Sequence, residues 1–585
     1  AGEPAAMLIQ PASIVTAAAA AAAAPPAPRA AASLVVVRDT AVGIEVLLLR
    51  RAEGGGAGAV GGGGGVWVFP GGVVDDADAD AHHCCAGLDD AQASAALGLA
   101  QGGLAYWVAA VRECFEEAGL LYAQAPGTDA LLALDGDEAA RIAAWRAPLH
   151  RGERTLAQLC AATGWQLALD RLVYLSHWLT PPLRSKRFDT RFFVAAAPPA
   201  QPARCDGVEL LEQRWLRPAD ALAQAEALRL MTPTRKTLEA LARFDRVEAL
   251  LAWARAPREI VCIMPMIGRD RDGLRPVTPD EPAYAELARV DPQCRASHAY
   301  EIEPGRAVRL SAHLLRVTAG NGSVMTGPGT NSYLLGGGAD NAWALIDPGP
   351  DDPAHVQALL AAAPGPIRWI FATHTHLDHS PAAAALQRAS GARVLGRRPA
   401  HPEWQDAGFA PDVELAGGER FELHRGCTLH VIHTPGHASN HLCFLYEQER
   451  LLFTGDHVMQ QSSVVINPPD GDMAAYLQSL RALLALDLDW LAPGHGFLMA
   501  QPRRVLEALI AHRLRREAKV VDALRALGAA DVDALLARVY DDAPARLHGV
   551  AMRSLKAHLL KLAHDGVATC SDDRRWALVG PRAGL

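Results

Sequence analysis

Residues 34–50 (LVVVRDTAVGIEVLLLR) set two apolar runs around a short polar break, and this spacing predicts a β-hairpin with largely buried strands. The glycine-dominated stretch Gly54–Gly65 then interrupts the pattern. With no Lys-Ser/Thr pair or helix start behind it, that stretch reads as a mobile loop between strands rather than a phosphate cradle. The run VWVFPGGVVDD is a strand ending in a Pro-Gly-Gly turn, and residues 105–123 (AYWVAAVRECFEEAGLLYA) carry an unbroken helical period. Three more strands are expected within 171–216, followed by the helical run PTRKTLEALARF. Between 246 and about 304, Pro and Arg break every period, and an irregular linker is expected there.

From 307 the chain changes to short apolar strands separated by Gly-rich turns, among them WALIDPG, WIFATHTH, LHVIHTPGH, LLFTGD and DWLAPGHG. Nearly all of them end at His, Asp or Gly, as expected of a sheet whose loops converge on a metal site at one edge. After 501 the pattern is helical and closes with a helix-then-strand unit, VAMRSLKAHLLKLAHDGVAT and RRWALVG.

A length of 585 residues predicts about three or four domains. Half the residues are hydrophobic and 21% charged, which excludes wholesale disorder and a membrane-spanning design. Ten cysteines without a paired framework point to a reducing, cytoplasmic setting. Residues 1–30, with alanine from Ala17 to Ala24 and then Pro25-Pro26, lack the basic and strongly apolar regions of a secretory signal and read as a disordered leader. Net charge is −9, but residues 501–585 hold 15 Lys+Arg against 10 Asp+Glu, a net of +5, so the remainder carries −14. A mean of that sign does not exclude an anion-binding tail.

Chemistry first gathers at Arg112-Glu113-Cys114-Phe115-Glu116-Glu117-Ala118-Gly119-Leu120. On a helix, Glu113, Glu116 and Glu117 turn toward one face, and Arg112 can pair with Glu116 at i+4. Three hard oxygen donors suit Mg²⁺ or Mn²⁺. Together with FPGGVVDDAD, the segment resembles the Nudix box: Gly72 matches its glycine, Arg112–Leu120 its second half, and Glu113, Glu116 and Glu117 its metal ligands. Asp78 stands where that family has Glu, and Arg112 follows it by 34 residues rather than eight, an insertion of 26. The resemblance, to the looped-out peroxisomal-type branch, implies an α/β/α sandwich over 31–245. It also implies metal-assisted water attack on a nucleoside-diphosphate-linked or coenzyme A-type pyrophosphate, with Glu116, Glu117 or Glu209 taking the proton. His82-His83-Cys84-Cys85, inside the insertion, cannot easily surround one ion and reads as a surface accident.

The second gathering is Thr373-His374-Thr375-His376-Leu377-Asp378-His379, with His437, Asp456 and His495 after later strands. These residues resemble the metallo-β-lactamase superfamily, lactamase-β-2-like branch. The resemblance implies an αββα sandwich over 305–500, with His374, His376 and His437 on one metal, Asp378, His379 and His495 on a second, and Asp456 bridging. Such a set suits two Zn²⁺, or Mn or Fe; Asp378 would orient a bridging hydroxide, and Asp347 would support the loops.

The tail, 501–585, is similar to a winged-helix module. Arg503, Arg504, Arg513, Arg515, Arg516, Arg553, Lys556 and Lys561 would meet phosphates there, a solvated helical face being the competing reading. Two substrate classes stay open for the second domain: single-stranded RNA, or a small phosphate or thioester compound of glyoxalase-II type. An alternative for the first domain is a catalytically degenerate Nudix module acting as a ligand sensor. No feature calls for a membrane, and none sets an oligomeric state.

Overall fold

The computed structural model describes residues 25–52, 65–134, 136–460 and 463–579; the expected leader up to residue 24 and the glycine loop up to residue 64 lie outside them. The chain divides into two compact units, one running to Thr278 with Gln293–Ser297, the other comprising Pro279–Pro292 and His298 onward.

In the first unit the strand Arg29–Thr40 is central, and it begins inside the stretch expected as leader. It pairs antiparallel with Gly43–Arg51, in the register Val37↔Val46 and Thr40↔Gly43, and parallel with Phe188–Ala196. Leu34 and Val36 join Trp107, Val108, Val111 and Phe115 of the helix Leu104–Ala118 in one core. Val35 and Val37 join Leu238, Leu241, Val247 and Leu250 in another. Successive residues of a strand point to opposite faces, so a sheet covered by helices on both sides needs a continuous apolar run rather than an alternating one. That is the α/β/α sandwich expected.

Two details differ from the expectation. The helix stops at Ala118 rather than running to 123, because Gly119 turns left-handed (φ +72°) and its amide closes on Phe115 O at 2.9 Å. Cys84 is buried in the same core as Cys160, not placed on the surface.

The stretch 246–304 is not irregular. It holds a helix, Val247–Arg255, a strand, Cys262–Ile263, which extends the first sheet, a hairpin of Met266–Asp270 and Gly273–Val277, and a helix, Tyr284–Val290. Val247, Leu250 and Ala254, spaced i, i+3, i+7, bury one face of the first helix. The prolines and arginines fall mainly between these elements and masked that short period.

In the second unit, seven strands from Ala307–Arg309 to Val413–Glu414 form one sheet and six from Arg420–His424 to Met499–Ala500 form another. Tyr333, Ile346, Phe371, Leu429, Phe444 and Phe453 fill the space between the sheets. The helices Pro353–Ala362 and Ala383–Ser390 cover the outer face of the first sheet. Met473–Leu483 covers that of the second, joined by Pro502–Leu527. The unit is therefore an αββα sandwich. It continues through the helices Val532–Val539 and His548–His564 to a two-stranded wing, Ala568–Cys570 with Trp576–Leu578, around its own core of Leu535, Leu555, Leu559 and Trp576. Among the described residues no helix is long and apolar enough to cross a membrane.

Candidate metal centres

In the second unit the strand Ile367–Phe371 ends where Thr373 begins the first histidine motif, so His374, His376, Asp378 and His379 all leave one strand tip. His437 follows Cys427–His433, Asp456 follows Leu451–Gly455, and His495 follows Trp490–Pro493. Strand ends from both sheets thus bring together seven side chains distant in sequence.

They form two groups, His374/His376/His437 and Asp378/His379/Asp456/His495, each with its ligand atoms within 4.8 Å of one another. His376 Nδ1 lies 2.9 Å from His374 Nε2 and 3.0 Å from His437 Nε2. In the second group His379 Nε2 is 3.3 Å and His495 Nε2 3.2 Å from Asp456 Oδ1. Asp456 Oδ2 turns the other way, 3.7 Å from His437 Nε2. One carboxylate therefore offers an oxygen to each group, a geometry suited to bridging. His379 Nε2, His495 Nε2 and Asp456 Oδ1 are buried with no hydrogen-bond partner. Buried polar atoms are seldom left so, and a cation in the second group would satisfy all three, while the first group offers three imidazole nitrogens to another. The residues fit a pair of divalent metals.

The outward ring nitrogens are anchored. His379 Nδ1 donates to Asp347 Oδ2 at 2.9 Å, His437 Nδ1 to Val465 O at 2.8 Å and His495 Nδ1 to Gly329 O at 3.1 Å. Such anchors fix the tautomer that presents Nε2 inward. Asp347 also accepts from Thr373 N at 2.7 Å and Thr373 Oγ1 at 2.9 Å, tying its own loop to the first motif. Gly494 is obligatory: a Cβ there would lie 2.7 Å from Asp456 Oδ1 and 2.9 Å from His379 Cε1.

Electrostatics match the donor set. Burial, then the surrounding imidazoles, holds His374 well below the ordinary histidine range, and burial with His437 lowers His376 to about 3. Both therefore present neutral lone pairs. Burial alone would raise Asp378, but His379 holds its carboxylate down at about 2. Two buried histidines stand behind the ligands that sequence reading passed over: His441, with Nδ1 on Thr434 Oγ1 at 2.9 Å, and His457, packed on Tyr476. His441 lies four residues after His437 and His457 directly follows Asp456, so the neighbouring motifs were the one signal that could have found them.

The first unit presents a different picture. Asp78 and Arg112 are buried together, with Nε to Oδ1 at 2.8 Å and Nη2 to Oδ2 at 3.1 Å. Asp78 is thus the closest carboxylate partner of Arg112, alongside Glu113 at 2.8 Å, while the expected i+4 partner Glu116 is at 3.5 Å. Glu117 Oε2 accepts from Gly71 N at 2.8 Å. Glu113, Glu116 and Glu117 are absent from the described groups that gather three candidate ligand atoms within 4.8 Å. Glu113 and Glu116 face Arg112, while Glu117 faces the Gly71 amide. Burial raises all three, Glu116 to about 8, and leaves Glu116 Oε1 without a hydrogen bond. A divalent cation would offset that desolvation cost, so these carboxylates also fit a metal. His150, unremarked in the sequence, stands between Glu116 Oε2 at 3.8 Å and Glu209 Oε1 at 3.9 Å. The four residues His82–Cys85 form no such group among the described residues.

An αββα sandwich whose strand ends gather seven His and Asp side chains has the form of a metal-dependent hydrolase, here with a Nudix-type sandwich ahead of it. The profile of the Metallo-beta-lactamase superfamily matches residues 325–495, that of the NUDT19 Nudix domain residues 95–235, and that of the Beta-lactamase associated winged helix domain residues 532–576. The chain belongs to the metallo-β-lactamase superfamily and carries a Nudix domain and a winged-helix domain beside it. It is a hydrolase by that membership. Similar proteins include the lactamase-like protein aptB of Emericella nidulans, 32% identical over 35% of this chain and 63% of the relative, so this chain spans less than two thirds of that protein. An atrochrysone carboxyl ACP thioesterase of Aspergillus fumigatus is 30% identical over 44% of this chain and 82% of the relative. A beta-lactamase-like protein 2 homolog of Drosophila melanogaster is 30% identical over 44% and 90%.

Proposed function

We propose that the chain is a two-site hydrolase acting on coenzyme A-type compounds: the second unit hydrolyses a thioester and the Nudix unit hydrolyses a pyrophosphate bond. The observation that carries the reading is the ligand set with Asp456 divided between two groups, joined to the thioesterase name of one relative. Two Zn²⁺, or Mn or Fe, would supply a hydroxide near neutral pH and polarise the carbonyl. Asp378, held ionised and half-exposed, orients the attacking oxygen. The balance is thioester plus water giving carboxylate, thiol and one proton.

In the Nudix unit Glu113, Glu116 and Glu117 would hold Mg²⁺ or Mn²⁺, which neutralises charge developing on the pyrophosphate. Glu116 or Glu117 takes the proton from water, and His150 links Glu116 to Glu209.

The tail's charge pattern favours a small substrate over single-stranded RNA. Arg516 is paired with Asp542, Lys519 with Asp541, and Lys561 with Glu517 and Asp565, so these cations are committed inside the module and only the excess of five is left for phosphates.

The test is the full chain loaded with Zn²⁺ and Mg²⁺, assayed for thiol release from acyl-coenzyme A and for cleavage of coenzyme A to phosphopantetheine. His437→Ala should abolish the first activity alone and Glu116→Gln the second alone. Thiol release that survives His437→Ala refutes the dinuclear assignment, and coenzyme A binding without turnover returns the Nudix unit to a sensor.

A further inference from the structure

A cavity of about 530 Å³ opens on His376, Asp378, His437 and Asp456, and its lining continues onto the tail: His512, Arg513 and Arg516 of Pro502–Leu527, then Arg553 and Ser554 of His548–His564. That volume lies in the range of small-molecule sites. No motif of the metal centres includes these tail residues, yet they share one chamber with the ligands.

The tail cations differ in how far they are committed. Arg513 is buried, donates to Val464 O and lies 5.3 Å from the Tyr476 ring centroid, with Nε buried and without a partner. Arg516 is held by Asp542, by Val539 O and against the Tyr540 ring at 4.3 Å. Arg553 is exposed and has no hydrogen-bond or ion-pair partner among the described residues. Met459, Val465, Leu547 and Val550 make other parts of the wall apolar. Of the acidic lining residues, Asp470 is bonded to Gln405 and Ser439, and Glu403 is exposed. Trp404 is 73% exposed at the same cavity and held at φ +69°, a conformation that costs a bulky residue energy and tends to persist at binding sites.

A chamber with a reactive edge, apolar walls and an uncommitted guanidinium suits a substrate with the same order of parts. We propose that the winged-helix tail is the substrate-anchoring wall of this site, with Arg553 as the specificity residue that binds the phosphate of a phosphopantetheine arm while the thioester lies at the metal centres. The proposal rests on the thioesterase reading above. Arg513 and Arg516 hold the wall in place, and Trp404 covers the arm.

The experiment uses the full zinc-loaded chain and two thioesters of one acyl group, on coenzyme A and on N-acetylcysteamine, which lacks phosphate. Binding of an S-alkyl coenzyme A thioether is measured in parallel by calorimetry. Arg553→Ala should lower the ratio of kcat/KM for the phosphorylated over the unphosphorylated thioester about ten- to a hundred-fold, carried in KM, and should weaken thioether binding to match. Arg553→Lys should recover part of the ratio, and Arg538→Ala, an exposed position outside the cavity, should keep it. An unchanged ratio, or an equal loss on both thioesters, overturns the anchor. So does a loss confined to cleavage of single-stranded RNA, which would assign Arg553 to nucleic acid. If the wild-type chain hydrolyses neither thioester, the thioesterase reading falls; thioether binding that still depends on Arg553 would then leave the anchor standing, and its absence would remove both.

Discussion

Arg513 and His437 hold consecutive carbonyls of one loop: the Arg513 guanidinium donates to Val464 O, and His437 Nδ1 donates to Val465 O at 2.8 Å. A residue of the tail thereby braces the support of a candidate metal ligand. Arg513→Leu would leave the Val464 carbonyl unsatisfied and free the loop to shift. Expected are a loss of about 1–3 kcal/mol in stability and about a tenfold weaker affinity at the group containing His437, as when an outer support of a ligand is removed. Competition with a chromogenic chelator measures the second effect, and wild-type affinity in the variant would show that the two hydrogen bonds are not coupled.

Gly72 makes the corresponding statement about the Nudix unit. A Cβ there would sit 2.2 Å from Glu113 Oε1, so Gly72→Ala must displace the carboxylate. The expected outcome is loss of Mg²⁺-dependent pyrophosphatase activity with the thioesterase unaffected. Equal loss of both would mean that the substitution had unfolded more than the site.

Asp78 tests how the chain departs from its family's pattern. Burying Arg112 requires a paired carboxylate, and Asp78 supplies both oxygens from a short helix, Asp76–Asp80, set by the 26-residue insertion. Removing one partner of a buried pair leaves the other uncompensated, so Asp78→Ala should cost about 3–5 kcal/mol. A change in unfolding free energy, taken from urea titrations, under a quarter of that would show that Glu113, Glu116 and the Val73 carbonyl satisfy Arg112 without Asp78.

These cases show what could be read from the chain and what could not. That the seven His and Asp candidates would come together was legible because they are rare residue types at strand ends, and strand ends are marked by turns. The apolar run at 34–37 announced a doubly covered sheet. Arg112 was read as pairing with Glu116 because helical spacing is local, whereas its nearer partner Asp78 is 34 residues away and meets it only after folding. The helices and hairpin of 246–304 were hidden because their apolar spacing is short and interrupted. In the sequence Arg553 is one cation among eight; that, of the three arginines lining the cavity, it is the one without a protein partner among the described residues depends on how the tail helices pack.

His355 carries a pH dependence whose sign follows from its surroundings. It is buried on the helix Pro353–Ala362, with Nε2 2.8 Å from Ser332 Oγ and Nδ1 without a partner, and burial lowers it from 6.5 to about 4. Above pH 6.5 the ring is neutral in both folded and unfolded chains and contributes no slope. As pH falls from 6.5 toward 4, the unfolded chain takes up a proton that the folded unit refuses, so stability declines, by about 3 kcal/mol at pH 4. His355→Gln can still reach Ser332 and does not titrate. The wild-type minus variant difference in unfolding free energy should therefore fall through this window and stay flat above it, as read from urea midpoints at half-unit intervals. A difference independent of pH would mean that the His355 ring is protonated in the folded unit, with water supplying the partner that Nδ1 lacks.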